Sequence, residues 1–324
     1  MTAALLTRLR KGGKRALADA LARIEAAPTA SGTIDLLDEA YHGARGHVIG
    51  ITGPPGVGKS TLIASLMKAF RTANETVGVI AIDPSSRRSG GALLGDRVRI
   101  ETDPSDPGVF IRSMAARDRL GGLASITASA VVLMRAVYDR VIVETVGVGQ
   151  SETDIASVAD SVLLCVQPGS GDSLQYMKAG IAEIPDIAIV TKADLGQIAI
   201  QTKRDLRSAL TTTGSATGRP ADGVWQVPVL SIAASEHDGA AALIEGLDRH
   251  RQYLAAGPLA DRRRDQAEAW LIGSLKEAFG REGLKLIETM PEGNALRNSQ
   301  SPFRRLEVLH RALSAHFAGH FVSS

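Results

Sequence analysis

The segment Gly53-Pro54-Pro55-Gly56-Val57-Gly58-Lys59-Ser60-Thr61 constrains this chain more than any other. It has the spacing G-x-x-x-x-G-K-S, with a short apolar run before it, Val48 to Ile51, and Leu62, Ile63, Leu66 and Met67 after it at helical spacing. Strand, glycine-rich turn and helix in that order form the context in which the pattern binds phosphate. The glycines let successive backbone N–H groups turn inward toward phosphate oxygens, and the helix N-terminus adds its positive end. Lys59 is then placed to reach the β and γ phosphates, and the Ser60 hydroxyl to ligate Mg2+. Gly53 through Thr61 are therefore the candidate nucleotide-binding loop, with Lys59 also a catalytic candidate.

The pattern beyond this loop is regular. Apolar runs rich in Val and Ile recur at 48–51, 77–82, 109–111, 141–143, 162–166, 187–190 and 227–232. Stretches of helical length lie between most of them, at 60–72, 121–138, 173–182 and 198–212. Such alternation predicts an α/β fold: a P-loop NTPase with a mostly parallel, doubly wound sheet. Helices flank this core. Residues 1–25 read as an amphipathic helix interrupted at Gly12-Gly13, and 33–42 as a short second helix. Thr211 to Gly223 reads as a surface loop and 239–255 as helical. Residues 261–279 read as a long amphipathic helix and 291–302 as a polar break. In 303–321, Leu306, Leu309, Leu313, Phe317 and Phe321 line one stripe. The expected domains are an N-terminal helical extension (1–45), a nucleotide-binding domain (46–256) and a C-terminal helical arm (257–324) whose apolar stripe covers either its own domain or, by dimerisation, a second subunit.

Composition narrows the class of partner. Lys plus Arg number 37 against 35 Asp plus Glu, a net charge of +2, which is too small for a surface that coats nucleic acid. No apolar run reaches the length of about 18 residues needed to span a membrane. The single cysteine, Cys165, excludes an intramolecular disulfide framework and fits a reducing compartment, so the cytoplasm is the expected location. Within its apolar run Cys165 reads as a small core residue.

Four further segments fall at strand ends, where open α/β sheets bind ligands. Asp83 closes the second apolar run and can serve Mg2+; it leads into an arginine- and glycine-rich stretch that contains Asp96, a second acidic candidate. Glu144 closes the fourth run and is followed by Gly147 and Gln150. Glu144 can hold the metal's water shell or orient the attacking water, Gly147 can bring a backbone N–H to the γ phosphate, and Gln150 can also position water. A third loop, Gln167 to Ser173, is rich in glycine and by itself uninformative. The fourth, Thr191-Lys192-Ala193-Asp194, addresses the base: the Asp194 carboxylate can accept from the ring N–H and amine of guanine, a donor pair adenine does not present. The Lys192 stem can lie along the base face, while Thr191 ties neighbouring loops. Ser231-Ile232-Ala233 stands where a second base-contacting loop belongs. Three activities fit these residues: nucleotide hydrolysis, phosphoryl transfer by a P-loop kinase to a small molecule or protein, and nucleotide holding without turnover.

Taken in order, these segments resemble the MeaB/ArgK family, GTPases associated with methylmalonyl-CoA mutase and related to signal-recognition-particle and nickel-insertion GTPases. The resemblance rests on Gly50 to Thr61, Ala81 to Ser86, Gly90 to Asp96, Phe110 to Arg112, Leu120 to Gly122, Val143 to Glu152, Pro168 to Asp172 and Thr191 to Asp194. It implies GTP/GDP and Mg2+ as ligands, with Lys59 and Ser60 on phosphate and metal, Asp83, Asp96 and Glu144 as acidic metal or hydrolysis residues, and Asp194 on guanine. It also implies a homodimer and a partner, an adenosylcobalamin-dependent acyl-CoA mutase. Adenosylcobalamin then belongs to that partner, and residues 169–178 resemble the loop that couples nucleotide state to it. Two departures stand out: Thr191 replaces the more usual Asn of the guanine motif, and the tail after Glu288 does not follow the family.

Overall fold

A computed structural model describes residues 4–84, 103, 105–116, 125–145, 154–169, 184–213, 223–233, 237–295 and 301–321. The chain divides into two compact units. One gathers Met1–Arg45, Ser125–Val137 and Asp261–Ser324; the other comprises Gly46–Ala124 and Tyr138–Ala260.

The first unit is helical. Helix α1 (Ala4–Ala26) breaks at Gly13, whose φ of 63° and ψ of −155° lie outside helical geometry, as the Gly12-Gly13 pair predicts. Its buried Leu9, Leu17, Ala20, Leu21 and Ile24 form one stripe. Helix α2 (Ser31–His42) buries Ile34, Leu37 and Ala40, and its Glu39 carboxylate accepts the Leu6 N–H at 2.8 Å, satisfying a donor at the start of α1. The C-terminal carbonyls of α4 (Ser125–Val137) take two guanidinium groups: Arg10 Nε donates to Ala136 O at 3.0 Å and Arg45 Nη2 to Val137 O at 3.0 Å. Cations at a helix C-terminus oppose its negative end. With its packing against α1 and α2, these bonds hold α4 in the helical unit although it lies between two sheet strands in sequence.

Two long helices complete that unit. Helix α7 (Pro258–Thr289), bent at Gly280, packs Leu271 and Leu275 against Leu306, Leu309 and Leu313 of α9 (Pro302–Phe321). Each such leucine, fully buried, contributes about 1.5–3 kcal/mol. Helical geometry is lost just after Phe279, where the sequence predicts the helix to end, at Gly280 with φ 67° and ψ −165°, and a further helical stretch then runs on to Thr289. The expected polar break opens with a short helix, α8 (Pro291–Ala295). Phe303 of α9 lies edge-on to Tyr41 of α2 at 6.3 Å and against Trp270 of α7 at 4.6 Å, and Arg304 pairs with Asp35 and Asp38. The two ends of the chain thus share one core.

The second unit holds the sheet. Its strands are β1 (His47–Thr52), β2 (Val77–Pro84), β3 (Val109–Ala116), β4 (Arg140–Glu144), β5 (Ser161–Val166), β6 (Ile187–Val190) and β7 (Val229–Ser231). Among the described residues they form one all-parallel sheet in the order β3-β2-β4-β1-β5-β6-β7. Alternation of side chains sorts the two faces. Leu163, Cys165, Ile187 and Ile189 face α3 (Lys59–Thr72) and α6 (His237–Ala255), while Leu164, Val166, Ala188 and Val190 face α5 (Gln197–Thr213). With both faces covered, the strands read as unbroken apolar runs. Gly50 is required where β1 crosses the 155–159 turn, since a Cβ there would lie 2.4 Å from Ile155 Cγ1.

A buried polar chain ties the starts of three central strands. His47 Nε2 and His250 Nδ1 each lie 2.7 Å from Ser161 Oγ, and His250 Nε2 lies 3.3 Å from Asp186 Oδ1. Asp186 also accepts the Val162 N–H, and Asp160 accepts the Val48 N–H, each at 2.8 Å. These contacts set β1, β5 and β6 side by side at their N-terminal ends, opposite the ends that carry the phosphate loop. Replacing Ser161 with Ala removes the hydroxyl that both imidazoles address. The expected cost is about 1–3 kcal/mol of stability, read by urea denaturation, with GTP affinity unchanged.

Candidate functional site

Because all strands run one way, the ends of β1, β2, β4, β5 and β6 share one edge of the sheet. At that edge a cavity of about 450 Å3 is lined by Pro55, Gly56, Gly58, Lys59, Ser60 and Thr61, by Ala81 and Ile82 at the end of β2, and by Glu144 and Thr145 at the end of β4. The phosphate loop leaves β1 through Gly53, at φ 140°, where an added Cβ would sit 2.3 Å from the Cys165 carbonyl oxygen. It enters α3 through Gly58 at φ 102°. Glycine is needed at both points, by close approach at the first and left-handed geometry at the second. Lys59 is buried, and its Nζ donates to the carbonyls of Gly53 at 2.8 Å and Pro54 at 3.1 Å, so the ammonium lies across the loop.

Facing it, Glu144 is buried, and its Oε1 accepts from Ser60 Oγ at 3.3 Å. This joins the first turn of α3 to the end of β4. Thr145 N–H donates to Ile51 O at 3.2 Å and its hydroxyl to Thr52 Oγ1 at 3.1 Å, holding the β4 exit against β1. A hydroxyl and a carboxylate this close are a hard-oxygen donor pair of the kind Mg2+ selects, with nucleotide phosphates and water able to complete its shell. The backbone of Asp83 reaches the same edge, next to Ala115 of β3. Asp96, Gly147 and Gln150 lie outside the described residues, as do the predicted helix 173–182 and the loop 170–178.

The segment expected to read the base, Thr191 to Asp194, follows β6. Thr191 is buried; its N–H and hydroxyl both donate to Val166 O, at 2.9 and 3.2 Å. Lys192 adopts φ 51° and ψ 46°, left-handed geometry that is uncommon for a residue other than glycine. Its Nζ donates to Gln167 Oε1 at 3.0 Å. Ala193 N–H donates to Ile232 O at 3.2 Å and Ile232 N–H to Val190 O at 2.8 Å, which brings the Ser231-Ile232-Ala233 segment against the loop. Asp194 lies in a short 3-10 turn (Ala193–Leu195) and is exposed, while Ile232 and Ala233 are buried, and Ile232 meets the loop through its backbone. Thr52, Thr145 and Gln167 were not singled out from sequence, although each sits at or beside a strand's C-terminal end, the one signal that marks them.

Comparison with known proteins supplies the family of the chain. The sequence model of "Methylmalonyl Co-A mutase-associated GTPase MeaB" matches residues 17–282. This chain belongs to the MeaB family. A Pyrococcus horikoshii protein whose name describes a GTPase is 42% identical over 267 residues, 82% of each chain. The mouse protein named "Methylmalonic aciduria type A homolog, mitochondrial" is 35% identical over 271 residues, 82% of this chain and 62% of that one. The crystal structure titled "LAO/AO transport system kinase" superposes with a TM-score of 0.64 at 26% identity, covering 98% of this chain and 97% of the other. As a MeaB family member the chain is a GTPase, and the α/β fold with helical additions at both ends matches the expectation from sequence.

Two consequences follow from the contact of Gly53 with β5. In this MeaB family member, Gly53→Ala forces loop and strand apart, and GTP affinity should fall by a factor on the order of 10 or more, measured by calorimetry, with the far-ultraviolet circular dichroism unchanged. Burial pushes the Cys165 thiol up to about 12; the Glu144 carboxylate adds to the rise and the Lys59 ammonium opposes it. A raised folded value means stability is complete below the unfolded thiol's range and is lost as pH climbs through the folded one. Alkylation of the native protein at pH 8.5 should accordingly be slower than in urea by a factor on the order of 100 or more, measured by mass spectrometry.

Proposed function

We propose that this GTPase is a nucleotide-timed chaperone of an adenosylcobalamin-dependent acyl-CoA mutase, methylmalonyl-CoA mutase or a close relative. It gates cofactor loading and protects or reactivates the mutase. The family match over residues 17–282 is the observation that carries this reading, and the relative named for methylmalonic aciduria supports it.

In this reading the cavity at the strand ends holds the triphosphate. Lys59 offsets charge on the β and γ phosphates. Ser60, Asp83, Asp96 and Glu144 serve Mg2+, which screens phosphate charge when bound. Glu144 or Gln150 orients the attacking water, and Gly147 offers its N–H to the γ phosphate. Thr191, Lys192 and Asp194 read guanine. Such sites reach full activity only when binding completes their loops, so intrinsic turnover is slow and the mutase raises it.

The test uses the full chain, immobilised with Mg2+ and a non-hydrolysable GTP analogue, in native extract of its source organism. A cobalamin-dependent mutase should be retained, and less of it with GDP. Adding the purified mutase should also speed phosphate release. Retention of no cobalamin enzyme, together with unchanged phosphate release, would overturn the reading.

A further inference from the structure

We propose that Gln167 is a positioning residue for nucleotide binding, one that fixes the Lys192 side chain across the face of the base. The inference rests on reading Thr191 to Asp194 as the base loop.

Parallel register creates the contact. Val166 of β5 pairs with Val190 of β6, so the residues leaving the two strands run side by side. Thr191 takes the Val166 carbonyl twice, and Gln167 Oε1 accepts from Lys192 Nζ at 3.0 Å. Lys192 is an exposed side chain on a left-handed backbone, and a lysine stem has many rotamers to lose when it settles on a base. An acceptor on the neighbouring strand selects one direction for the stem before nucleotide arrives, and preorganisation of this kind raises affinity by lowering the ordering cost. Gln167 is half-buried, and Pro168 behind it is buried, so the acceptor stands on a fixed base. Two residues on, a Cβ at Gly169 would lie 3.6 Å from Ile198 of α5. The β5 exit therefore meets the base loop and the helix behind it.

The two base-directed residues do different work. Asp194 reads the edge of the base and so distinguishes guanine from its analogues. Lys192 covers the face, which guanosine and inosine nucleotides share. Loss of the Gln167 acceptor should weaken GTP and ITP by the same factor, about 3- to 10-fold, the range of an ordinary net hydrogen bond, since the Lys192 side chain is exposed.

The test is a double-mutant cycle on the full chain, with Kd for GTP and ITP and kcat for GTP measured for Gln167→Ala, Lys192→Ala and the pair. Gln167→Ala should weaken both nucleotides equally, leave kcat unchanged and have no further effect once Lys192 is Ala. Gln167→Glu, which keeps the acceptor, should bind like the unsubstituted protein. Gln167→Met, similar in size without the acceptor, gives the same reading if the Ala variant proves unstable. Unchanged affinity in Gln167→Ala and Gln167→Met, or losses that add to that of Lys192→Ala, would overturn the proposal. Asp194→Asn separates the underlying reading: if it fails to shift preference toward xanthosine nucleotides, the base-loop assignment falls. If that shift appears while the Gln167 variants bind normally, only the positioning role falls.

Discussion

The site depends first on one close approach, that of the Gly53 backbone to the Cys165 carbonyl, where no Cβ fits. That approach exists because β5 is hydrogen-bonded beside β1, with Thr52 in register with Leu164. It sets the height of the phosphate loop over the sheet and leaves the loop carbonyls where Lys59 reaches them. The ammonium is buried, and a charge taken from water is tolerable only when hydrogen bonds replace hydration. The loop therefore supplies both the phosphate cradle and the acceptors that hold its own lysine. Cys165 fits the same constraint from below: it is fully buried and small, and its thiol stays protonated beneath the lysine.

The opposite edge of the sheet shows why such precision can be sustained. Each parallel strand must start at the right level for its end to arrive at the site. Asp160 and Asp186, with His47, Ser161 and His250, fix those levels through side-chain to backbone bonds at the starts of β1 and β5. Beside them Arg140, at the start of β4, makes two bonds to Glu75 and one to Asp248, and lies 4.8 Å over the Phe70 ring. Arg140 is buried while Glu75 and Asp248 are partly exposed, so removing a carboxylate takes compensation from a buried guanidinium.

Much of this was legible in the residues. Seven β-branched runs separated by helical lengths yield the strands, because a sheet covered on both faces needs apolar side chains on both. The break at Gly13 was legible because glycine pairs interrupt helices wherever they stand. Other features depend on contacts distant in sequence. Helix α4 is mostly apolar, and its partners, α1 and α2, lie more than 80 residues away in sequence, as do Arg10 and Arg45, which bond its C-terminal carbonyls. The left-handed turn at Lys192 has no local signal, since lysine does not favour it; bonds from Thr191 and Ala193 to two neighbouring strands impose it. Gln167 sat in a loop that meant nothing until register placed it beside Lys192, 25 residues away.

The Thr191–Asp194 segment is held by more than its own strand. Here Thr191 and Lys192 are bonded to the exit of β5, and Ala193 to Ile232 beyond β7, so the loop bridges three strand ends. The exit of β5 also bears on the phosphate loop through Cys165 and Gly53. One strand thus touches the phosphate loop at Cys165 and the base loop at Val166 and Gln167, two adjacent stretches of the same backbone. Parallel strands held rigidly at their feet can move little except at their ends. The β5 exit therefore bears on the phosphate loop and on the Thr191–Asp194 segment through adjacent residues.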